Sequence, residues 1–284
     1  MSQPTASGRI AFVLGGGGVL GASEVGMLRA LFEAGVHPDL VCGTSVGAIN
    51  GALVATDPGP AAVERLVELW QQLVTGEVFS GSLLARTATL VRTRTHLHQP
   101  EALRDLLSRH LGGRRIEDLA VPFQCVAASI ERATEHWFTA GSLVDAVRAS
   151  CAVPGLLAPV RVGGEHFLDG GLVASIPVDR AVALGAATIY VLQVGRIEAP
   201  LHPPRAPWEV ALVAFEIARR HRFATAMATV PDGVTVHVLP AGGTPMAFTD
   251  RRQFRYRDFA AVPQRIDDAY LATRAYLRDL ERSR

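Results

Sequence analysis

Apolar positions along this chain fall into two patterns: short unbroken runs, and longer stretches with apolar residues three and four apart. Alternation of the two predicts strands alternating with helices, an α/β protein. Residues 9–14 form the first run and predict a strand buried on both faces, as in a parallel sheet. Four glycines, Gly15 to Gly18, follow it, and a helix begins near Ala22 with Val25, Leu28, Leu31 and Phe32 along one side, ending at Gly35. Leu40-Val41-Cys42 predicts a second strand, and residues 46–55 a second helix. Residues 61–73 place Val63, Leu66, Val67, Trp70 and Leu73 at helical spacing, the signature of a core-facing stripe.

Residues 75–100 mix Leu83, Leu84, Leu90 and Val91 with Arg86, Arg92 and Arg94 and carry no clear period. They are a candidate cap that meets lipid, set against an ordinary surface excursion. A helix is predicted over 101–111, a strand hairpin over 122–130 and 136–139, and a helix over 143–149 that Pro154 stops. Beyond a short strand at Phe167 come a helix over 179–184, a β-branched strand over 188–194, a long helix over 208–227 and a strand over 235–239. A closing helix over 266–280 has Ile266, Tyr270, Thr273 and Leu277 in one stripe. The sum is a three-layer α/β/α sandwich with a mostly parallel central sheet. Residues 1–8 read as a disordered tail and 9–284 as a single domain, with the part beyond 196 poorest in motifs.

Composition narrows this picture. The 284 residues are 49% hydrophobic with a net charge of +1, enough apolar material for a large core and no strong attraction to polyanions. No nucleic-acid partner is expected. Cys42, Cys125 and Cys151 are scattered, which suits a reducing cytoplasm and gives no zinc or redox pair. No ligand cluster for a metal and no apolar stretch of about 18 residues occur, so neither a metal nor a membrane span is expected. The cluster Arg251-Arg252-Gln253-Phe254-Arg255-Tyr256-Arg257 interleaves cations with aromatics. It is a candidate for peripheral contact with anionic lipid at the inner membrane face, against the plainer reading of a solvated surface.

Candidate chemistry centres on Gly43-Thr44-Ser45-Val46-Gly47, a G-x-S-x-G element between a strand and a helix. A serine on such a turn presents its Oγ to a substrate carbonyl, while the glycines on either side leave room for the approach. The earlier loop admits two readings. Gly16-x-Gly18-x-x-Gly21 fits a dinucleotide fingerprint, but the end of the second strand lacks the acidic residue that would hold a ribose. The same loop can instead aim the backbone N–H groups of Gly16, Gly17 and Gly18, with that of Val46, at an oxyanion formed at Ser45. No organic cofactor is then needed. A further motif, Asp169-Gly170-Gly171, reads as a turn or as the seat of a base. His166, three residues before Asp169, would face the other side of a strand, which disfavours a histidine triad.

These motifs together resemble the patatin-like phospholipase family of serine lipid acyl hydrolases. Gly16-Gly17-Gly18-Val19-Leu20-Gly21 is similar to the family's G-G-G-x-R-G, with Leu20 in the arginine's place. Gly43 to Gly51 matches G-T-S-x-G-A-x-N-G throughout, and Ala149 to Gly155 resembles A-S-x-A-x-P-G. The resemblance implies a Ser45–Asp169 dyad, supported by Gly21, Gly43, Gly47, Gly170 and Gly171, acting on a lipid or other acyl ester. Alternatives at this point are an idle lipid-binding protein, given Leu20, and a thioesterase, acyltransferase or peptidase built on the same residues. Chain length, head group and oligomeric state are left open.

Overall fold

The apolar run after Arg9 forms β1 (Ile10–Leu14), and its alternate residues go to opposite sides of the sheet. Phe12 and Leu14 enter one core while Ala11 and Val13 enter a second. The neighbouring strands β2 (Leu40–Thr44) and β7 (Thr188–Leu192) split the same way, so each is apolar on both faces. The larger core is closed by α1 (Ala22–Glu33), α2 (Val46–Thr56), α3 (Pro60–Thr75), α4 (Pro100–Leu111), α5 (Leu143–Ser150) and α8 (Ala261–Arg282). The smaller core is closed by α6 (Val178–Ala183) and α7 (Pro207–Ala228). Helices thus cover both faces of the sheet, the predicted three-layer arrangement. This is a computed structural model, and the residues it describes are 8–75, 100–194, 200–243 and 261–283. Most of the candidate cap (76–99), the arginine cluster (251–257) and residues 1–7 of the tail lie outside them.

Among the described residues the sheet has eight strands, hydrogen-bonded along the path β5-β6-β3-β2-β1-β7-β8, where β3 is Phe123–Ser129, β5 Val160–Val162, β6 Glu165–Asp169 and β8 Thr235–Val238. Strand β4 (Thr134–Phe138) pairs with β3 off this path. The pairings of β1 with β2 and β7, of β2 with β3, and of β7 with β8 are parallel. Those of β3 with β4 and β6, and of β5 with β6, are antiparallel. Strand β5 was not expected. Its three residues are too few for a period, and it exists because the Gly163-Gly164 turn folds it back on β6.

Helix α8 starts at Ala261, five residues earlier than the expected Ile266, and buries Val262 in that added turn. Pro263 sits in the first turn, where its missing N–H has no intrahelical acceptor to lose. The helix crosses α1 closely at Gly26: a Cβ there would lie 2.7 Å from the Tyr270 nitrogen. Arg29 packs 4.3 Å over the Tyr270 ring, whose hydroxyl donates to Glu33 at 2.6 Å. The C-terminal helix is therefore fastened to the first helix by backbone approach, ring stacking and a hydrogen bond.

Candidate active site

Strand β3 brings together the two motifs that lie 124 residues apart. Cys125 pairs with Gly43 on one edge and Phe138 on the other, while Ala127 pairs with Asp169 on one edge and His136 on the other. Because β4 occupies one edge from Cys125 to Ser129, β2 and β6 share the opposite edge, end to end. Thr44, the last residue of β2, stands beside Val126, and Asp169, the last residue of β6, stands beside Ala127. One step along β3 thus separates the two, and Ser45 Oγ donates a hydrogen bond of 2.6 Å to Asp169 Oδ2.

Ser45 has φ 54° and ψ −123°, a conformation rare for a residue with a side chain. Strain of this kind persists only where surrounding bonds over-determine it. Here the Ser45 amide donates to Ser150 Oγ at 2.8 Å, its carbonyl accepts from Ala48 and Ile49 at 2.8 and 3.3 Å, and Thr44 Oγ1 donates to Ala174 O at 2.7 Å. The first amides of α2, those of Val46 and Gly47, have no backbone acceptor among the described residues. They give the helix start its partial positive charge beside the Ser45 hydroxyl.

Asp169 is 5% exposed. Burial pushes its carboxyl from 3.8 up to about 6, and hydrogen bonds from Ser45 and from the Gly171 amide (2.7 Å to Oδ1) only partly offset this. The bonds also divide the carboxylate's work: Oδ1 is held by the backbone and Oδ2 faces the serine. Gly170 fits against Val126 O, where no side chain could stand. The Cys151 thiol lies beside the pair, and burial together with the Asp169 charge holds it well above the ordinary thiol range, so it is a neutral wall. His166 turns away, its Nδ1 paired with Glu131 at 2.7 Å on an exposed edge, in keeping with the strand argument against a triad.

The glycine loop lies against Ser45: a Cβ on Gly16 would be 3.4 Å from Ser45 Cβ. One expected donor is already engaged, however. The Gly16 amide donates to Ser175 O at 2.9 Å, and the Gly15 amide to Leu192 O at 3.0 Å. Those of Gly17 and Gly18, the latter at φ 59°, have no backbone acceptor among the described residues. Gly21 packs on Val46, 2.6 Å from its methyl carbons if it bore a Cβ, which joins the loop to the start of α2. Leu20 is partly buried there, in the place where the family motif resembled by this loop has arginine. At the end of β2, where a dinucleotide site would need an acid, stands Ser45 itself.

Motif reasoning missed the polar network under the elbow. Asn50 donates from Nδ2 to Glu24 Oε2 (2.7 Å) and Gly21 O (3.0 Å), and accepts from Trp70 Nε1 (3.1 Å). Glu24 is fully buried, its Oε1 has no hydrogen-bond partner among the described residues, and burial holds its carboxyl well above 4.5. The one signal in the sequence is a lone acid among Ala22, Val25 and Met27 at the start of α1. A folded-state value above the unfolded one means stability that is full below 4.5 and declines as pH rises from there toward the folded value. The Glu24 contribution is therefore expected to lower the melting temperature of wild type as pH rises above 4.5. Glu24→Gln, which cannot ionise, should flatten that fall in thermal scans from pH 4.5 upward, with Asp169→Asn measured beside it to separate the second buried carboxyl.

Fold and site together define a three-layer α/β protein with a buried serine–aspartate pair at a strand-to-helix turn. The sequence profile of the patatin-like phospholipase family matches residues 12–182, a span holding the glycine loop, Ser45 and Asp169. The chain belongs to that family. It is 35% identical over 188 residues to patatin-like phospholipase domain-containing protein 6 of Mus musculus, covering 66% of this chain and 13% of that one. With lysophospholipase nte1 of Aspergillus terreus it shares 32% identity over 189 residues, covering 66% of this chain and 12% of the relative. The chain thus corresponds to a small part of those proteins. Among solved structures, VipD from Legionella pneumophila aligns over 94% of this chain and 69% of its own, at 14% identity and a TM-score of 0.39. ExoU from Pseudomonas aeruginosa, solved with SpcU, aligns over 92% and 52% at 15% identity and a TM-score of 0.33.

Proposed function

We propose that this chain is a serine lipid acyl hydrolase that cleaves carboxylic esters of lipids through a Ser45 acyl-enzyme with Asp169 as base. The observation that carries this reading is the 2.6 Å bond from a conformationally strained serine to a buried carboxylate. Ser45 Oγ attacks the ester carbonyl carbon as its proton passes to Asp169 Oδ2. The resulting oxyanion takes hydrogen bonds from the amides of Gly17, Gly18 and Val46. Collapse breaks the acyl–oxygen bond, and the leaving alcohol takes the proton from Asp169. Water then attacks the acyl carbonyl, giving its proton to Asp169, and the fatty acid leaves as that proton returns to Ser45 Oγ.

A carboxyl near 6 is a better proton acceptor than one at 3.8, and it is still mostly ionised at neutral pH. The base must be ionised to act. The kcat/KM is therefore expected to rise with pH and level off above about 6, in rate profiles from pH 4.5 to 8. Being called phospholipases and lysophospholipases, the relatives make a glycerophospholipid or its lyso form the first substrates to try. A peripheral seat at the cytoplasmic face of a membrane belongs to the same proposal. The test is fatty-acid release from phosphatidylcholine, lysophosphatidylcholine and p-nitrophenyl esters of rising acyl length, with Ser45→Ala as the blank. Release above the blank that favours long acyl chains is the expected result. No release from any of them would refute the reading.

A further inference from the structure

Beyond the dyad and the loop stands a buried cation that neither motif includes. Arg219, on α7, has a side chain only 3% exposed. Its Nε donates to Ser175 Oγ at 3.0 Å, its Nη1 reaches the Glu216 carboxylate at 3.4 Å, and its Nη2 is buried without a partner among the described residues. Glu216 is a weak counter-charge: both contacts are long, and it also accepts from Arg220 at 3.3 Å. Burying a guanidinium that is incompletely paired among the described residues costs stability, so its presence here calls for an explanation other than folding.

The explanation lies in what Ser175 holds. Residues 174 and 175 form a strap between the two catalytic motifs: Ala174 O accepts from Thr44 Oγ1 at 2.7 Å, and Ser175 O accepts from the Gly16 amide at 2.9 Å. Ser175 Oγ also lies 3.5 Å from where a Gly16 Cβ would be. The strap therefore sets the distance between the glycine loop and Ser45. Its own side chain is held from the opposite side, by Arg219. One helical turn earlier, Phe215 rests against Gly171, 3.1 Å from where its Cβ would be, so α7 bears on the acid loop and the strap at once.

We propose that Arg219 is a positioning residue for the oxyanion loop, acting through Ser175 to hold Gly16 to Gly18 at the reach that a Ser45 oxyanion requires. A guanidinium from α7 thus supports the loop from outside, while position 20 of the loop itself carries leucine. This rests on the hydrolase reading above. Support that matters to the oxyanion matters most once the charge has formed, so its loss lowers kcat and leaves KM nearly unchanged.

The test is a double-mutant cycle in which the hydrolysis of the best ester is measured for Arg219→Met, Ser175→Ala and the pair, beside Arg219→Lys. Each single change is expected to lower kcat by about 10- to 100-fold, with KM within about twofold of wild type. The pair should lose no more than the worse single variant, because both break one link. Arg219→Lys, which keeps the charge and a donor, should recover part of the loss. Full kcat in Arg219→Met, losses that multiply, or a raised KM at unchanged kcat would each overturn the proposal. If Arg219→Met does not fold, Ser175→Ala decides, since full kcat there overturns it as well. A wild type that turns over esters while Ser45→Ala does not, with Arg219→Met at full rate, defeats this inference alone. An inactive wild type defeats the hydrolase reading and this inference together.

Discussion

Asp169→Asn is expected to abolish most ester hydrolysis while leaving the protein at least as stable as wild type. The amide has the carboxylate's shape, so its Oδ1 can keep the bond from the Gly171 amide that Asp169 Oδ1 now accepts at 2.7 Å. Its Nδ2 then faces Ser45 Oγ as a donor, and the serine hydroxyl becomes an acceptor with nowhere to send its proton. General-base contributions of this type amount to roughly 10²- to 10⁴-fold. The sign for stability is opposite. With a folded value of about 6 above the ordinary 3.8, the buried carboxyl favours folding fully only at low pH, and the contribution is lost as pH rises through 6. Removing the ionisation should therefore help at pH 8, by on the order of 2 kcal/mol before any loss from a poorer hydrogen bond. Initial rates and thermal unfolding of the same samples check both halves. A variant that loses activity only in step with its melting temperature would place Asp169 in the scaffold rather than in the chemistry.

Gly43→Ala should be the most damaging single methyl at the elbow. A Cβ at Gly43 would lie 2.6 Å from Gly47 O, 2.7 Å from Ala48 Cα and 2.9 Å from Ala48 N. All three are backbone atoms of the first turn of α2, and no side-chain rotation relieves them. Helix α2 would have to lift from β2, taking Val46 and the Ser45 turn with it, and Gly47 bars a shift toward β1 because it already abuts Leu14 O. A loss of about 3 kcal/mol is expected, in the range of overpacked cores, with activity falling further than stability. Gly113→Ala is the control: Gly113 is exposed and nothing lies within 4 Å of its added carbon. Its stability should stay within about 0.5 kcal/mol of wild type. Chemical denaturation of the two variants beside wild type measures the difference.

Much of this arrangement was legible in local pattern. The double-sided apolar runs at Ile10–Leu14 and Thr188–Leu192 belong to strands buried on both faces, and their composition says so without any partner. The glycine loop and the G-x-S-x-G turn are written in consecutive residues, because close backbone approach demands glycine wherever it occurs. Sequence period also placed α3 and α4 nearly to their ends. By contrast, the start of α8 was not legible, because Val262 favours helix only when the core is there to bury it.

What local pattern does not carry is which distant residues meet. Asp169 could be recognised as a candidate, but its place one β3 step beyond Thr44 depends on β2 and β6 sharing an edge of β3, a fact of strand pairing. The engaged Gly16 amide, the Ser150 hydroxyl under the Ser45 amide and the Arg219 guanidinium behind Ser175 all come from contacts across tens to hundreds of positions. The sequence by itself determined the class of fold, the Ser45 turn and the glycine loop beside it, since these rest on short-range sterics and hydrophobic period. The tertiary structure alone decided which amides stay free, which carboxylate is dehydrated and what holds the loop. Hydrogen bonding and burial are properties of neighbours in space, and the chain order does not record them.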